Sequence, residues 1–236
     1  DFCLSRGLGD VYKRQILNNY HLDESRIEEE FMDTILQFDH SLIFYVHEHF
    51  VYSFLTPIMA FISKITSNGA LWIIIALLLM LQKKYRVLGV AIIIALGFVF
   101  IIGDQGLKPN VARLRPFVDF PNVTVPLESA LPKATSYSFP SGHSFGSFAS
   151  SMTIYLGLTQ IAPQKRYLGI LALLGSIVVA FSRVYLFAHY PTDVLTGLVL
   201  GIIVGFIAWK LARIGWNWWT NRHNDVEYEP YTFKRK

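Results

Sequence analysis

The stretch GALWIIIALLLMLQKKYRVLGVAIIIALGFVFII, residues 69–102, decides the fold. Two apolar runs, roughly 69–82 and 86–107, are separated by the basic tetrapeptide KKYR at 83–86, and three more follow at 144–162, 167–188 and 193–213. Most approach the ~20 residues that a bilayer core demands of a helix. The first is short and is expected to borrow residues from its N-terminal side. The chain therefore reads as all-α, a polytopic membrane helical bundle with five clear transmembrane helices. Residues 41–66 are ambiguous, because His47, Glu48 and His49 would sit at membrane depth, where charge is expensive. A sixth span, or an interfacial helix followed by a short tucked one, fits them equally.

Of the 236 residues, 53% are hydrophobic and only 16% charged, a balance foreign to most soluble domains. The net charge of +4 does not mark a nucleic-acid binder, because the basic residues punctuate the apolar runs instead of gathering in one module. KKYR, QKR at 164–166 and the tail with Lys210, Arg213 and Arg222 belong on the cytoplasmic side of a cell membrane. By parity, the 108–142 connection and the 188–192 turn face the extracytoplasmic side. Cys3 is the only cysteine, which excludes an intrachain disulfide and a thiolate metal cluster. Residues 1–15 lack periodicity and an apolar core, and read as a non-native or mis-assigned leader. Residues 16–40 read as a polar, loosely amphipathic segment, 41–214 as the membrane domain and 215–236 as a basic cytoplasmic tail.

Three polar segments interrupt this pattern: KPNVARLRP from Lys108 to Pro116, PSGH from Pro140 to His143, and SRVYLFAHYPTD from Ser182 to Asp193. The first two share a loop that crosses no membrane, and two spans separate the second from the third. All three are thus expected at one membrane surface. A helix over 108–115 would put Lys108 and Arg115 on one face, two turns apart, with Pro109 in its first turn and Pro116 stopping it. Arg183 joins them as a third cation, and arginine suits phosphate through its bidentate fork. Ser141 and Gly142 offer amides at a helix N-terminus, a natural anion site. Asp193 lies within reach of His189, so a carboxylate would hold one imidazole nitrogen and leave the other free to attack phosphorus. His143 is then the acid that protonates the leaving oxygen.

Together the segments resemble the K-x6-RP, PSGH and SR-x5-H-x3-D signature of the type 2 phosphatidic acid phosphatases, with Arg113 as the further arginine of the first segment. The resemblance covers roughly residues 56–213. It implies a six-helix core and a metal-independent phosphatase, without cofactor, that passes through a phosphohistidine. It assigns His189 as nucleophile, Asp193 as its orienting partner and His143 as acid. Lys108, Arg115, Ser141, Gly142 and Arg183 would bind phosphate. Family members usually carry a hydrophobic helix upstream of the region matching 38–66, and here that place is polar, as expected of a truncated or mis-joined start.

The expected function is hydrolysis of a membrane lipid phosphate, with undecaprenyl pyrophosphate favoured and phosphatidylglycerophosphate or phosphatidic acid next. A lipid-pyrophosphate-dependent phosphotransferase, or a non-catalytic membrane protein that binds or transports phospholipid, are the alternatives. Taken singly, Lys108, Arg115 and Arg183 also fit helix-end residues snorkelling to headgroups. His47 and His49, two residues apart, fall on different helix faces and read as structural. Trp209, Trp216, Trp218 and Trp219 read as an aromatic belt. Phe117 and Phe120 are candidates to line the path of a lipid headgroup.

Overall fold

The computed structural model describes residues 24–132 and 135–222. The leader at 1–15, the start of the polar segment, His21, and the tail from His223 lie outside the described residues. The chain divides into two compact units at Leu42. Helix α1, Glu24–Phe50, supplies all the described residues of the first unit and continues into the second.

The second unit contains α2 (Thr56–Ile65), α3 (Ala70–Leu81) and α4 (Arg86–Phe98), which runs on through wider π-type turns over Val99–Leu107. Two single-turn helices follow, α5 (Lys108–Val111) and α6 (Pro116–Asp119). The remainder is α7 (Gly142–Ile161), α8 (Arg166–Tyr185) and α9 (Pro191–Arg222). No strand occurs among the described residues. Residues 41–66 fold as the end of α1 followed by the short α2. Between α2 and α3 the chain turns through Asn68 and Gly69, both at positive φ (52° and 72°), a conformation Asn and Gly adopt at least cost. That break bends α2 against the following helix by 45°.

Each of the five apolar runs is helical. Among the described residues, three helical stretches are long and apolar enough to cross a membrane: Lys83–Asp119, Pro163–Tyr185 and Pro191–Arg222. The bent pair from Thr56 to Leu81 would make a fourth. Helix α7 has length enough, about 30 Å at 1.5 Å per residue, yet its composition is more polar. The reason is its position. Ser144, Ser147, Ser150, Ser151 and Thr153 are all buried. Trp72 Nε1 donates to Ser147 Oγ at 3.1 Å, Ser176 Oγ to Ser151 Oγ at 3.0 Å, and Thr153 Oγ1 to the Gly205 carbonyl at 3.2 Å.

Small residues let α7 and α9 meet closely, as membrane helices do when no aqueous hydrophobic force draws them together. Gly197, Gly201 and Gly205 form one stripe of α9. A Cβ at these positions would lie 2.8 Å from the Ser141 carbonyl oxygen, 2.7 Å from Phe148 Cβ and 2.6 Å from the Ala149 carbonyl oxygen. The contact brings the first turns of α7 and α9 side by side, where the Ser141 amide donates to the Asp193 carbonyl at 3.0 Å.

One aromatic expectation is corrected. Trp209 is buried in the core with Leu88, Ile154 and Leu158, so it is no belt residue; Trp218 and Trp219 are exposed. Phe117 and Phe120 pack inward against the cluster containing Phe148 and Phe187, with Phe120 edge-on to Phe44 at 5.1 Å, because the short α6 folds the loop back onto the bundle.

Candidate active site

The chain reaches the site through a tight turn at the end of α8. The amides of Ala188 and His189 donate to the Arg183 carbonyl at 3.0 and 3.2 Å, and Phe187 is left-handed at φ 58°. For a residue with a β-carbon this costs about 1–2 kcal/mol. Burial of the Phe187 ring against Phe44 and Phe120 offsets it. The turn leaves Arg183 and His189 both facing the interior, 1% and 2% exposed, beside Arg115 at 4% and Asp193 at 0%. Arg115 and Arg183 therefore do not snorkel.

The expected helix over 108–115 does not form. It ends at Val111, Ala112 turns left-handed at φ 49°, and Arg115 is extended at φ −85°, ψ 151°, as the residue before a proline prefers. Lys108 and Arg115 consequently share no helix face and reach the site separately. Lys108 Nζ pairs with Asp104 Oδ1 at 2.5 Å and lies 3.6 Å from where a Cβ on Gly142 would stand. Arg115 reaches three partners through Nε and Nη1. Nε donates to the Ser136 carbonyl at 2.9 Å, while Nη1 donates to the Ala188 carbonyl at 3.0 Å and meets His189 Nε2 at 2.9 Å.

A guanidinium has donors only, so His189 Nε2 must present its lone pair and Nδ1 carries the hydrogen. Burial first, then Arg115, Arg183 and Lys108, hold the His189 pKa well below the ordinary imidazole value. Asp193 Oδ2 stands 3.7 Å from Nδ1. The carboxylate accepts from Arg113 Nη1 at 2.8 Å, from the Tyr190 amide at 2.9 Å and from Ser138 Oγ at 2.5 Å. It thus also caps the first turn of α9. Tyr190 in turn donates to Asp119 at 2.6 Å and lies under the Arg113 guanidinium, 4.0 Å from ring to cation.

Ser141 is the N-cap of α7, accepting from the Ser144 amide at 3.5 Å. His143, in the first turn, directs Nε2 at the Ser63 carbonyl, 3.1 Å away. Ser63 also accepts from Arg183 through its hydroxyl. The Arg183 Nε, by contrast, is buried with no acceptor, an arrangement folded proteins avoid unless a ligand supplies one.

The eight residues singled out from the sequence are thus drawn together at one end of α7, α8 and α9, with Lys108 at the margin. Sequence reasoning missed Ser63 and Ser138. Ser138 opens the SFPSGH stretch and is detectable as a polar residue beside the motif, whereas nothing in residues 41–66 marks Ser63. His49 stacks on Tyr45 with ring centroids 4.4 Å apart, and His47 tilts against Phe187 at 5.3 Å.

Below the site, an apolar cavity of about 770 Å³ runs between α3 and α8. Ile62 and Thr66, which flank Ser63, line one part; Gln82, Tyr85 and Lys165 line another.

Known proteins resemble this chain in sequence and in fold. The sequence profile of the PAP2 superfamily matches residues 84–216. An undecaprenyl-diphosphatase of Sulfolobus acidocaldarius is 32% identical over 161 residues, covering 68% of this chain and 72% of the relative. Phosphatidylglycerophosphatase B of Bacillus subtilis is 34% identical over 108 residues, 44% of this chain and 48% of that protein, so the match spans about half the relative's length. The crystal structure of the first transmembrane PAP2-type phosphatidylglycerolphosphate phosphatase, from Bacillus subtilis, superposes with a TM-score of 0.61 at 24% identity, over 74% of this chain and 84% of the other. That likeness is one of fold. With its three motif segments converging on one buried cluster and its profile match across more than half its length, the chain belongs to the PAP2 superfamily.

Proposed function

We propose that this PAP2 phosphatase cleaves a membrane lipid phosphate through a phosphohistidine on His189. The observation that carries the reading is the pairing of a buried imidazole lone pair with guanidinium groups, one of which has a buried nitrogen lacking an acceptor. A phosphate seated between Arg115, Arg183 and Lys108 would satisfy that nitrogen and displace Arg115 from Nε2. The Nε2 lone pair attacks phosphorus, and the bond to the leaving oxygen breaks as His143 gives it a proton. Water then attacks the phosphorus, its proton passes to His143, and the electron pair of the N–P bond returns to Nε2. Lys108, Arg115, Arg183, Ser141 and Gly142 hold the charge that builds on the equatorial oxygens. These cations supply electrostatic stabilisation, so the reading needs no metal.

Undecaprenyl pyrophosphate is the favoured substrate, supported by the Sulfolobus relative, with phosphatidylglycerophosphate next. The apolar cavity beside Ser63 suits a lipid tail. In the proposed topology the five helices α3, α4, α7, α8 and α9 cross the membrane. Basic loops put the C-terminus in the cytoplasm and the site on the outer face. The domain scheme, 41–214 between a polar segment and a basic tail, belongs to the same proposal.

The test is phosphate release in detergent with excess EDTA, comparing undecaprenyl pyrophosphate with phosphatidylglycerophosphate. Release that vanishes in His189→Ala is expected, and the faster substrate identifies the lipid. Release that persists in His189→Ala, or that EDTA abolishes, overturns the mechanism.

A further inference from the structure

Around His189, Ser138 supplies both a backbone contact and a hydroxyl close to Nδ1. Nε2 faces Arg115 and has no hydrogen, so Nδ1 has one to donate. At 3.7 Å the Asp193 oxygen is beyond hydrogen-bond distance from Nδ1. The Ser138 hydroxyl is nearer, at 3.3 Å from Nδ1 and 2.5 Å from Asp193 Oδ2. It has one hydrogen, and a carboxylate only accepts. Ser138 therefore donates to Asp193, and its free lone pair faces Nδ1, giving a relay that runs His189 to Ser138 to Asp193.

The rest of the site is built to hold this hydroxyl in place. Ser138 is fully buried, and its amide donates to the Arg113 carbonyl at 2.8 Å. The same Arg113 binds the far oxygen of Asp193 at 2.8 Å, so one arginine fixes both the serine and the carboxylate. The Tyr190 amide, at 2.9 Å, occupies Asp193 Oδ2 alongside the serine.

We propose that Ser138 is a positioning residue: Asp193 orients the imidazole through the Ser138 hydroxyl. This rests on His189 being the nucleophile. During attack the Nε2 lone pair forms the N–P bond, Nδ1 keeps its hydrogen, and the ring becomes cationic. The hydroxyl dipole, polarised by the carboxylate behind it, faces that charge. No proton leaves the ring, and when water releases the phosphate the electron pair returns to Nε2.

The experiment is a double-mutant cycle on the full-length protein in detergent, with Ser138→Ala, Asp193→Asn, the pair together, and Ser138→Thr as the variant that keeps a hydroxyl. Phosphate release and the amount of acid-labile phosphoenzyme are measured at several pH values, and folding is checked by melting. For Ser138→Ala, kcat should drop about 10- to 100-fold, the range seen when a partner orienting a metal-ligating histidine is removed. KM should stay within about threefold, and Ser138→Thr should recover part of the loss. Because the two residues act in series, the double variant should be no slower than Asp193→Asn. Losses that multiply in the double variant, or a Ser138→Ala enzyme with unchanged kcat, overturn the proposal. His189→Ala separates the two levels: if it still turns over, the nucleophile reading falls and this one with it. If it is inactive while Ser138→Ala is normal, only the serine relay falls.

Discussion

At the scale of single residues, the protonation state of His189 governs what the site can do. Its pKa is lowered, by burial first and then by Arg115, Arg183 and Lys108. The neutral ring therefore persists below the ordinary imidazole value of about 6.5. The acid limb of kcat/KM should lie below that value. A limb at or above about 6.5 that His189 causes would contradict the electrostatics. The sign for stability follows from proton uptake. As pH falls through about 6.5 the unfolded chain takes up a proton that the folded site refuses, so folding weakens toward acid. In His189→Gln the acid-side drop in melting temperature should be smaller than in the wild type. The members of the buried cluster were legible from the segments K-x6-RP, PSGH and SR-x5-H-x3-D, whose residues Arg115, Arg183, His189 and Asp193 the fold brings together. Ser138 and Ser63 were not legible, since a serine acquires such a role only through what a distant segment brings to its hydroxyl or carbonyl.

At the scale of elements, the contact of α7 with α9 sets Ser141 beside Asp193, with the Ser141 amide donating to the Asp193 carbonyl at 3.0 Å. A side chain at Gly201 would meet Phe148 Cβ at 2.7 Å, the Phe145 carbonyl oxygen at 2.9 Å and the Ala149 amide nitrogen at 3.0 Å. Two of these are backbone atoms, which cannot step aside. Gly201→Val is expected to destabilise the bundle by about 1–3 kcal/mol through overpacking, and to lower kcat because the two helix starts separate. A melting curve and a turnover assay check both, and an unchanged enzyme would show that the contact is not rigid. The elements also explain where the sequence misled. The seven-residue spacing of Lys108 and Arg115 suits a helix, but Pro116 forces extension on Arg115 and Ala112 reverses the chain. The serine-rich pattern of α7 is ordinary for a helix whose polar groups find partners inside a bundle.

At the scale of the whole molecule, the apolar cavity and the polar site adjoin through α2. Gly175 lines the cavity, and a Cβ there meets nothing within 4 Å. Gly175→Phe should therefore fold normally while filling the cavity. If the cavity holds the lipid tail, KM for a long-chain lipid phosphate should rise about tenfold, and kcat/KM for a short-chain water-soluble phosphate should stay unchanged. Equal effects on both substrates would separate the cavity from binding.

The sequence by itself determined the membrane character, the helical runs and the candidate polar residues of the site. Each of these depends on local composition or on short spacing: long apolar runs are helical in lipid because the backbone must satisfy itself, and the polar motif residues stand out against those runs. Only the tertiary structure decided that Ser138 stands between His189 and Asp193, that Ser63 joins His143 to Arg183, and that Trp209 is core. Those facts depend on contacts between residues such as 63 and 183, or 138 and 193. The glycine-lined approach of α7 and α9 sets the 138–193 contact, and the bend at Asn68–Gly69 sets the angle between α2 and the following helix.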